Sequence, residues 1–433
     1  MPRAMNITAR SHRHSRAEAV RLDEDDTMGV FRDRFHVHPG TIYLDGNSLG
    51  LPCRDAEAAI DEAITAWRDR GIDGWTQGDR PWFWIGERLG EMQSALVGAF
   101  GDEIVVTGGT TTNLHSLVST FYRPHGERTR IVTDATTFPS DRYALASQVA
   151  LRGLDPETAL VAIGDHDRGA DEDELVAALG PDVAFAWFNA VDYRTGRLLD
   201  MERLARECAS RSIPVGIDLA HTAGAVPHQL HDWGVDCATW CTYKYLNGGP
   251  GSVGALYVHR RHHGVVPGLV GWWGHDKSSQ FDMTTGFTPA PNAGAWQVGT
   301  PSVLGAAALY GALAVANEAG IDRVRAKSLA LTGLLLDLVD ARLVPLGFTS
   351  PTPRDDVRRG GHVALTHPEA AGIVQALKAR GVVPDFRPPN IVRLAPVAFY
   401  TRFVDVWDAV DILSEIATTQ AHRAFANQRG VVA

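Results

Sequence analysis

A chain of 433 residues is too long for one compact core and argues for two domains. At 45% hydrophobic and 21% charged it has the composition of a folded globular protein, and its formal net charge of −10 disfavours nucleic acid or an anionic membrane as partner. Four scattered cysteines (Cys53, Cys208, Cys237, Cys241) make neither a disulfide framework nor a zinc site, so no metal is expected, and free thiols in a reducing compartment, the cytoplasm, are.

In chain order, Arg3, Arg10, Arg13 and Arg16 face only Glu18 in the first twenty residues, with no apolar segment after them. Residues 1–40 therefore read as a flexible basic tail. Thr41-Ile-Tyr-Leu is a short strand ending in the polar turn Asp45-Gly-Asn-Ser-Leu-Gly50. Ile60, Ile64 and Trp67 predict a helix over 56–70, followed by an aromatic loop (Trp75, Trp82, Phe83, Trp84) and a helix over about 85–100. Apolar runs at 104–107, 130–133, 183–188, 215–218, 238–242 and 255–258 predict strands, and helical patterns at 113–122, 172–179 and 201–210 separate the first four. This alternation implies an α/β fold with a mainly parallel sheet covered by helices on both faces.

Residues 289–301, rich in Pro, Gly and Asn, read as a loop out of that domain. Helices over 302–319 and 322–343 follow, then a strand (362–366), a helix (369–380), two strands (382–385, 391–394) and a helix (403–418). The expected division is a tail (1–40), a large domain (41–300) and a smaller α+β domain (301–433), with 41–70 packing on the small domain or a partner subunit. The longest apolar run, 303–316, is too short to span a bilayer.

The chain has no Gly-x-Gly-x-x-Gly after a strand, no Walker A sequence and no His-Glu-x-x-His. What it has is Asp218-Leu-Ala-His221 and, soon after, Tyr243-Lys244, each at the end of an apolar strand. A pyridoxal phosphate (PLP) enzyme needs such a set: a lysine to bond the cofactor and an acid to keep its ring nitrogen protonated. A buried Asp218 needs a cationic partner, for which a pyridinium N–H, an arginine or a helix N-terminus would serve. Lys244 reads as a ligand-crevice amine or as an exposed strand-end lysine. Thr107-Gly-Gly-Thr-Thr-Thr-Asn113, between strand and helix, suits a phosphate or simply caps the helix. Phe138-Pro-Ser-Asp141 offers an aromatic face and a carboxylate, or a proline-started helix. Arg393, on a short strand, suits capture of a carboxylate or a surface ion pair.

Together with Tyr193-Arg-Thr-Gly196, Leu230-His-Asp-Trp-Gly-Val-Asp236 and Gly271-Trp-Trp-Gly-His275, these motifs resemble the kynureninase family from Tyr43 through Trp407. The family has the PLP fold type I architecture and is homodimeric, with active sites at the interface. The resemblance implies hydrolytic β,γ-cleavage of L-kynurenine to anthranilate and L-alanine in tryptophan catabolism, with pyridoxal 5'-phosphate as cofactor. It makes Lys244 the lysine that bonds the cofactor. Thr110, Thr111, Tyr243 and Trp272 match phosphate contacts, with Thr300 reaching the phosphate from the neighbouring subunit. Phe138, Asp141, Asn189, Asp218 and His221 match positions around the cofactor, and Arg393 matches the residue that binds the substrate carboxylate. Tyr243 is also the expected proton carrier.

Vertebrate members, which prefer 3-hydroxykynurenine, carry histidine and asparagine where this chain has Trp75 and Thr300, so unsubstituted kynurenine is the expected substrate. Three alternative readings compete with it. Among other fold type I enzymes, which include C–S lyases, a cysteine desulfurase would lack its nucleophile, because no cysteine follows Cys241. An aminotransferase would share Lys244, Asp218 and Arg393 but would need a keto-acid acceptor. A non-catalytic scaffold would need none of these residues together.

Overall fold

The computed structural model describes residues 15–428, which form two compact units. The larger comprises Arg54–Tyr193 and Leu199–Glu318; the smaller comprises the described residues up to Cys53, the short Arg194–Leu198 stretch and the chain from Ala319 onward.

A seven-stranded sheet organises the larger unit, in the order Ile104–Val106, Ala255–Val258, Cys237–Trp240, Val215–Asp218, Val183–Asn189, Arg130–Asp134, Leu160–Ile163. Its four pairings from Cys237–Trp240 to Leu160–Ile163 are parallel. Both pairings of Ala255–Val258 are antiparallel. The reversal has a local cause: no helix stands between Cys237–Trp240 and Ala255–Val258, and without a crossover the chain must turn straight back. All residues of the strands at 215–218, 237–240 and 255–258 are buried, which requires cover on both sheet faces. One cover consists of Thr110–Phe121 and Pro139–Leu151, whose Leu114, Leu117, Val118, Leu145 and Val149 pack with Ile131, Phe185, Trp187 and Leu256. The edge strand Leu160–Ile163 escaped the sequence reading because it is only half-buried and directly follows a four-residue helix.

The expected boundary at residue 300 is corrected by the helix Val303–Ala319, nearly all of which belongs to the larger unit. A Cβ on its Gly311 would lie 2.0 Å from the Asp55 carbonyl oxygen, so the helix packs backbone to backbone on the start of Arg54–Arg70. Residues 41–53 lie in the smaller unit and 54–70 in the larger.

In the smaller unit, Ile42–Tyr43 pairs with Val382–Val383, and Asp385–Arg387, Ile391–Leu394 and Val363–Thr366 form an antiparallel sheet. Ile321–Leu338, Ala370–Ala379 and Phe403–Thr419 cover it through Leu331, Leu335, Ile373, Leu377, Val410 and Leu413. The expectation of a flexible tail to residue 40 fails from residue 15 onward. Arg16–Glu24 is a helix capped by Ser15. Asp23 accepts the amide N–H groups of Phe403 (2.6 Å) and Val404 (3.0 Å), so a residue near one chain end caps a helix near the other. Arg16 bonds Asp408 at 2.7 Å, while Arg3, Arg10 and Arg13 lie outside the described residues. Among the described residues, no helix is long and apolar enough to cross a membrane.

Lys327 and Asp26 form a buried ion pair at 2.7 Å, their side chains 5% and 8% exposed. Burial pulls the ammonium below its ordinary pKa and Asp26 opposes that pull. Asp26→Ala removes the carboxylate that bonds this buried ammonium and is expected to destabilise the smaller unit by about 3–5 kcal/mol. Urea unfolding followed by circular dichroism measures this; an unchanged midpoint would refute it, and replacing both residues by Leu and Met should recover most of the loss.

Candidate active site

The larger unit gathers its chemistry at the carboxyl ends of three adjacent parallel strands. Asn189 and Asp218, the last residues of Val183–Asn189 and Val215–Asp218, are register partners, and Asp218 pairs in turn with Thr239. Ligands bind in such crevices because the strand ends leave donors and acceptors open there. Apolar strands carry Asp218 into a nearly dry setting, where it collects donors: the Ala220 amide N–H at 2.7 Å and the Asn189 amide at 2.8 Å. Burial pushes its pKa up, and the nearby Lys244 ammonium is the main influence pulling it back.

Asp141, in the first turn of Pro139–Leu151, is a second buried acid beside the first. The Trp187 indole N–H donates to it at 3.1 Å and the Asn189 amide at 3.3 Å. Burial, then the neighbouring Asp218 charge, hold it well above the ordinary carboxylate range. Of the two, Asp141 is the more strongly pushed toward its protonated form, because Asp218 has the Lys244 charge and the Ala220 N–H beside it. Trp187 has room for its indole because residue 216 is glycine; a Cβ there would lie 2.4 Å from the ring.

Lys244 sits in the loop after Cys237–Trp240, where Thr242 anchors the chain by donating to the Val253 carbonyl at 2.7 Å and Gly248 N–H returns to the Thr242 carbonyl at 2.9 Å. Lys244 Nζ lies 3.0 Å from His221 Nε2. Tyr243 is half-buried, and burial raises its phenol well above the usual value, so it keeps its proton. Phe138 faces the same cavity, its ring edge-on to Tyr193 with centroids 5.1 Å apart.

Thr110 opens the helix Thr110–Phe121, whose N-cap, Gly109, supplies no side-chain cap, leaving the first-turn N–H groups for another acceptor. Gly108 stands at φ +54, and a Cβ there would meet Asn113 Oδ1 at 2.6 Å, so this turn requires glycine.

Thr110, Thr111, Phe138, Asp141, Asn189, Asp218, His221, Tyr243 and Lys244 thus line one cavity. Three other sequence candidates of the larger unit do not. Trp75 packs at 5.2 Å on the buried Trp273 and edge-on to Trp82 at 5.7 Å. Trp272 is 42% exposed, edge-on to Phe281. Thr300 is exposed and lines a separate cavity with Thr107, Gly108 and Thr112. Arg393 belongs to the smaller unit, fully buried and cross-strand from Asp385, whose carboxylate accepts from its Nε and Nη2. Sequence reasoning gave no role to Trp187 or Asp385. An indole inside an apolar strand and a carboxylate two residues before Arg387 on a short strand were the signals available, since each needs a polar partner when buried.

The kynureninase C-terminal domain family matches residues 324–413. Among solved structures, the fold is similar to a cysteine desulfurase from Thermococcus onnurineus NA1 (TM-score 0.75, 18% identity, 92% of this chain and 98% of that one). It is also similar to a C-DES mutant with glycine covalently linked to its PLP cofactor (TM-score 0.73, 18% identity, 89% and 99%). At that identity the likeness concerns the fold alone, which is the type I architecture expected from the sequence. Kynureninase of Geobacillus thermodenitrificans (strain NG80-2) is 50% identical over 416 residues, 96% of this chain and 97% of that protein. Kynureninase of Shouchella clausii (strain KSM-K16) is 47% identical over 421 residues, 97% and 98% of the two chains. With such identity along nearly its whole length, the chain belongs to the kynureninase family.

Proposed function

We propose that the protein hydrolyses L-kynurenine between Cβ and Cγ to anthranilate and L-alanine, with PLP as cofactor. The observation that carries this reading is the convergence of Lys244, His221 and the buried acid Asp218 on one cavity, in a chain 50% identical to a kynureninase.

The residues present fit PLP. Asn189 Oδ1 is buried without a hydrogen-bond partner, the Thr110 helix start offers uncapped N–H groups, and Asp218 is a buried carboxylate suited to a cationic ring N–H. Lys244 would bond the cofactor aldehyde, Phe138 lie on the ring, and Asp218 hold its nitrogen protonated, with Asn189, His221 and Asp141 around it. Thr110, Thr111 and Tyr243 would hold the phosphate, joined by Trp272 and by Thr300 of a second copy of the chain, both exposed in the single chain. Bound PLP supplies an electron sink for the charge released at the substrate carbons. Lys244 then takes and returns the Cα proton, and Tyr243, protonated at neutral pH, donates protons. Arg393 binds the substrate carboxylate, and the Trp75 indole presents an apolar wall to the aniline ring. A homodimer, a cytoplasmic location and a place in tryptophan catabolism leading toward NAD biosynthesis complete the proposal.

A desulfurase reading has nothing to favour it beyond the fold, since all four cysteines are buried and lie no later than residue 241.

The purified holoenzyme with kynurenine should release fluorescent anthranilate and free alanine without any keto acid; a requirement for a keto-acid acceptor would mean an aminotransferase instead. Lys244→Ala should lose both turnover and the near-visible band of the lysine-bound cofactor. Asp218→Ala should lower kcat by roughly a hundredfold or more, with near-wild-type rates counting against its role. The kcat/KM for kynurenine should exceed that for 3-hydroxykynurenine by roughly ten- to a hundredfold; comparable constants would remove Trp75 as the determinant.

A further inference from the structure

One cluster in the smaller unit buries more charge than its local pairing explains. Asp385 and Arg393 face each other across the antiparallel strands Asp385–Arg387 and Ile391–Leu394, with side chains 1% and 0% exposed. Asp385 accepts from both edges of its surroundings: from Arg393, and from Arg387 Nε at 3.0 Å. A second carboxylate, Asp45, arrives on the turn after Ile42–Tyr43 and bridges in parallel to Ala395, two residues beyond Arg393. This turn is tightly held, since a Cβ on Gly46 would lie 2.3 Å from both the Tyr400 hydroxyl and Val397.

Ser48 connects the two acids' territories. Arg393 Nη2 donates to Ser48 Oγ at 3.4 Å, and the Ser48 hydroxyl donates to Asp45. The charged groups facing Asp45 are Asp385 and Arg387 on one strand and Arg393 on the next, with the Tyr43 phenol on its own strand. Asp45 Oδ1, Asp385 Oδ1 and both amide atoms of Asn47 are buried without a hydrogen-bond partner, so the cluster has polar capacity left over.

With Asp45 ionised, two carboxylates balance two guanidiniums. A third carboxylate, that of a substrate, would then enter a low-dielectric cluster with no net positive charge, which is unfavourable. With Asp45 protonated, one guanidinium charge is in excess.

We propose that Asp45 is a positioning residue of the substrate-carboxylate subsite, holding Arg393 through Ser48 and taking up a proton when a carboxylate binds. The proposal rests on the reading of Arg393 as the carboxylate anchor. Burial, then the Asp385 charge, push the Asp45 pKa up to about 6, against Ser48, Arg393 and Arg387, which pull it down. A bound carboxylate raises it further. The sign follows: affinity is constant below about pH 6, falls as pH rises above it, and levels once the bound state also loses its proton.

The test uses the holoenzyme and 3-benzoylpropionate, which is kynurenine's skeleton without either amine and cannot bond the cofactor. Calorimetry at about pH 7.5 in two buffers of different protonation heat should give net proton uptake on binding, and the dissociation constant should rise by up to about tenfold per pH unit above 6. Asp45→Asn, which mimics the protonated acid, should take up none and bind with flat pH dependence, and its kynurenine KM should lose the same slope while kcat changes less. Wild-type binding without proton uptake would overturn the proposal, and that measurement needs no variant to fold. So would a wild-type slope in Asp45→Asn while Arg393→Lys binds weakly. Undiminished binding by Arg393→Lys and Arg393→Ala would instead overturn the reading of Arg393 itself.

Discussion

A carboxylate buried at the end of an apolar strand constrains most of what surrounds it in the larger unit. Asp218 cannot hold a negative charge there unless donors and a cation stand near, and the neighbouring strands supply them. The next strand ends in Asn189 rather than an apolar residue, the chain after Asp218 turns so that the Ala220 N–H points back, and Lys244 comes from the loop after the strand on the other side. Even the interior of the sheet answers to this acid. Gly216 gives space to Trp187, whose indole N–H holds Asp141, a second acid that burial and the Asp218 charge push well above the ordinary carboxylate range.

The smaller unit buries charge by a different rule. Its acids and guanidiniums meet across an antiparallel ladder, where direct cross-strand partners are close and opposite charges attract. Asp385 and Arg393 neutralise each other within the fold, whereas Asp218 and Lys244 are near without being spent on one another, since the lysine amine contacts His221. The first arrangement fixes a side chain; the second leaves reactive groups available.

Much of this was legible in the sequence because strand ends were. The six apolar runs emerged as strands, the helix Met201–Ser210 matched residue for residue, and the residues assigned around Lys244 met in one cavity. Long-range ties were not legible. Nothing local to Asp23 or Asp26 says that they serve Phe403 and Lys327, so an ordered segment read as a flexible tail. Nor does a helix of alanines and glycines reveal which unit it belongs to: Gly311 packs on Asp55 through its missing side chain, and small residues carry little pattern. Trp75, Trp272 and Thr300 are a third case. Their assignments came from family likeness alone, and in the single chain they lie outside the Lys244 cavity.

The Asp23 cap has a consequence for how the protein is made. Among the described residues, the smaller unit is built mainly from 15–53 and 319–428, with the larger unit's residues lying between them. During synthesis the larger unit has nearly all its own strands and helices once residue 318 has emerged, and can collapse while the ribosome is still at work. The helix Arg16–Glu24 and the turn at Asp45 must wait, with their partners unmade, until Phe403–Thr419 arrives. Closing so long a loop costs chain entropy that no contact offsets beforehand. The segment from Arg16 to Asp45, made before the larger unit, is therefore among the last to find its place.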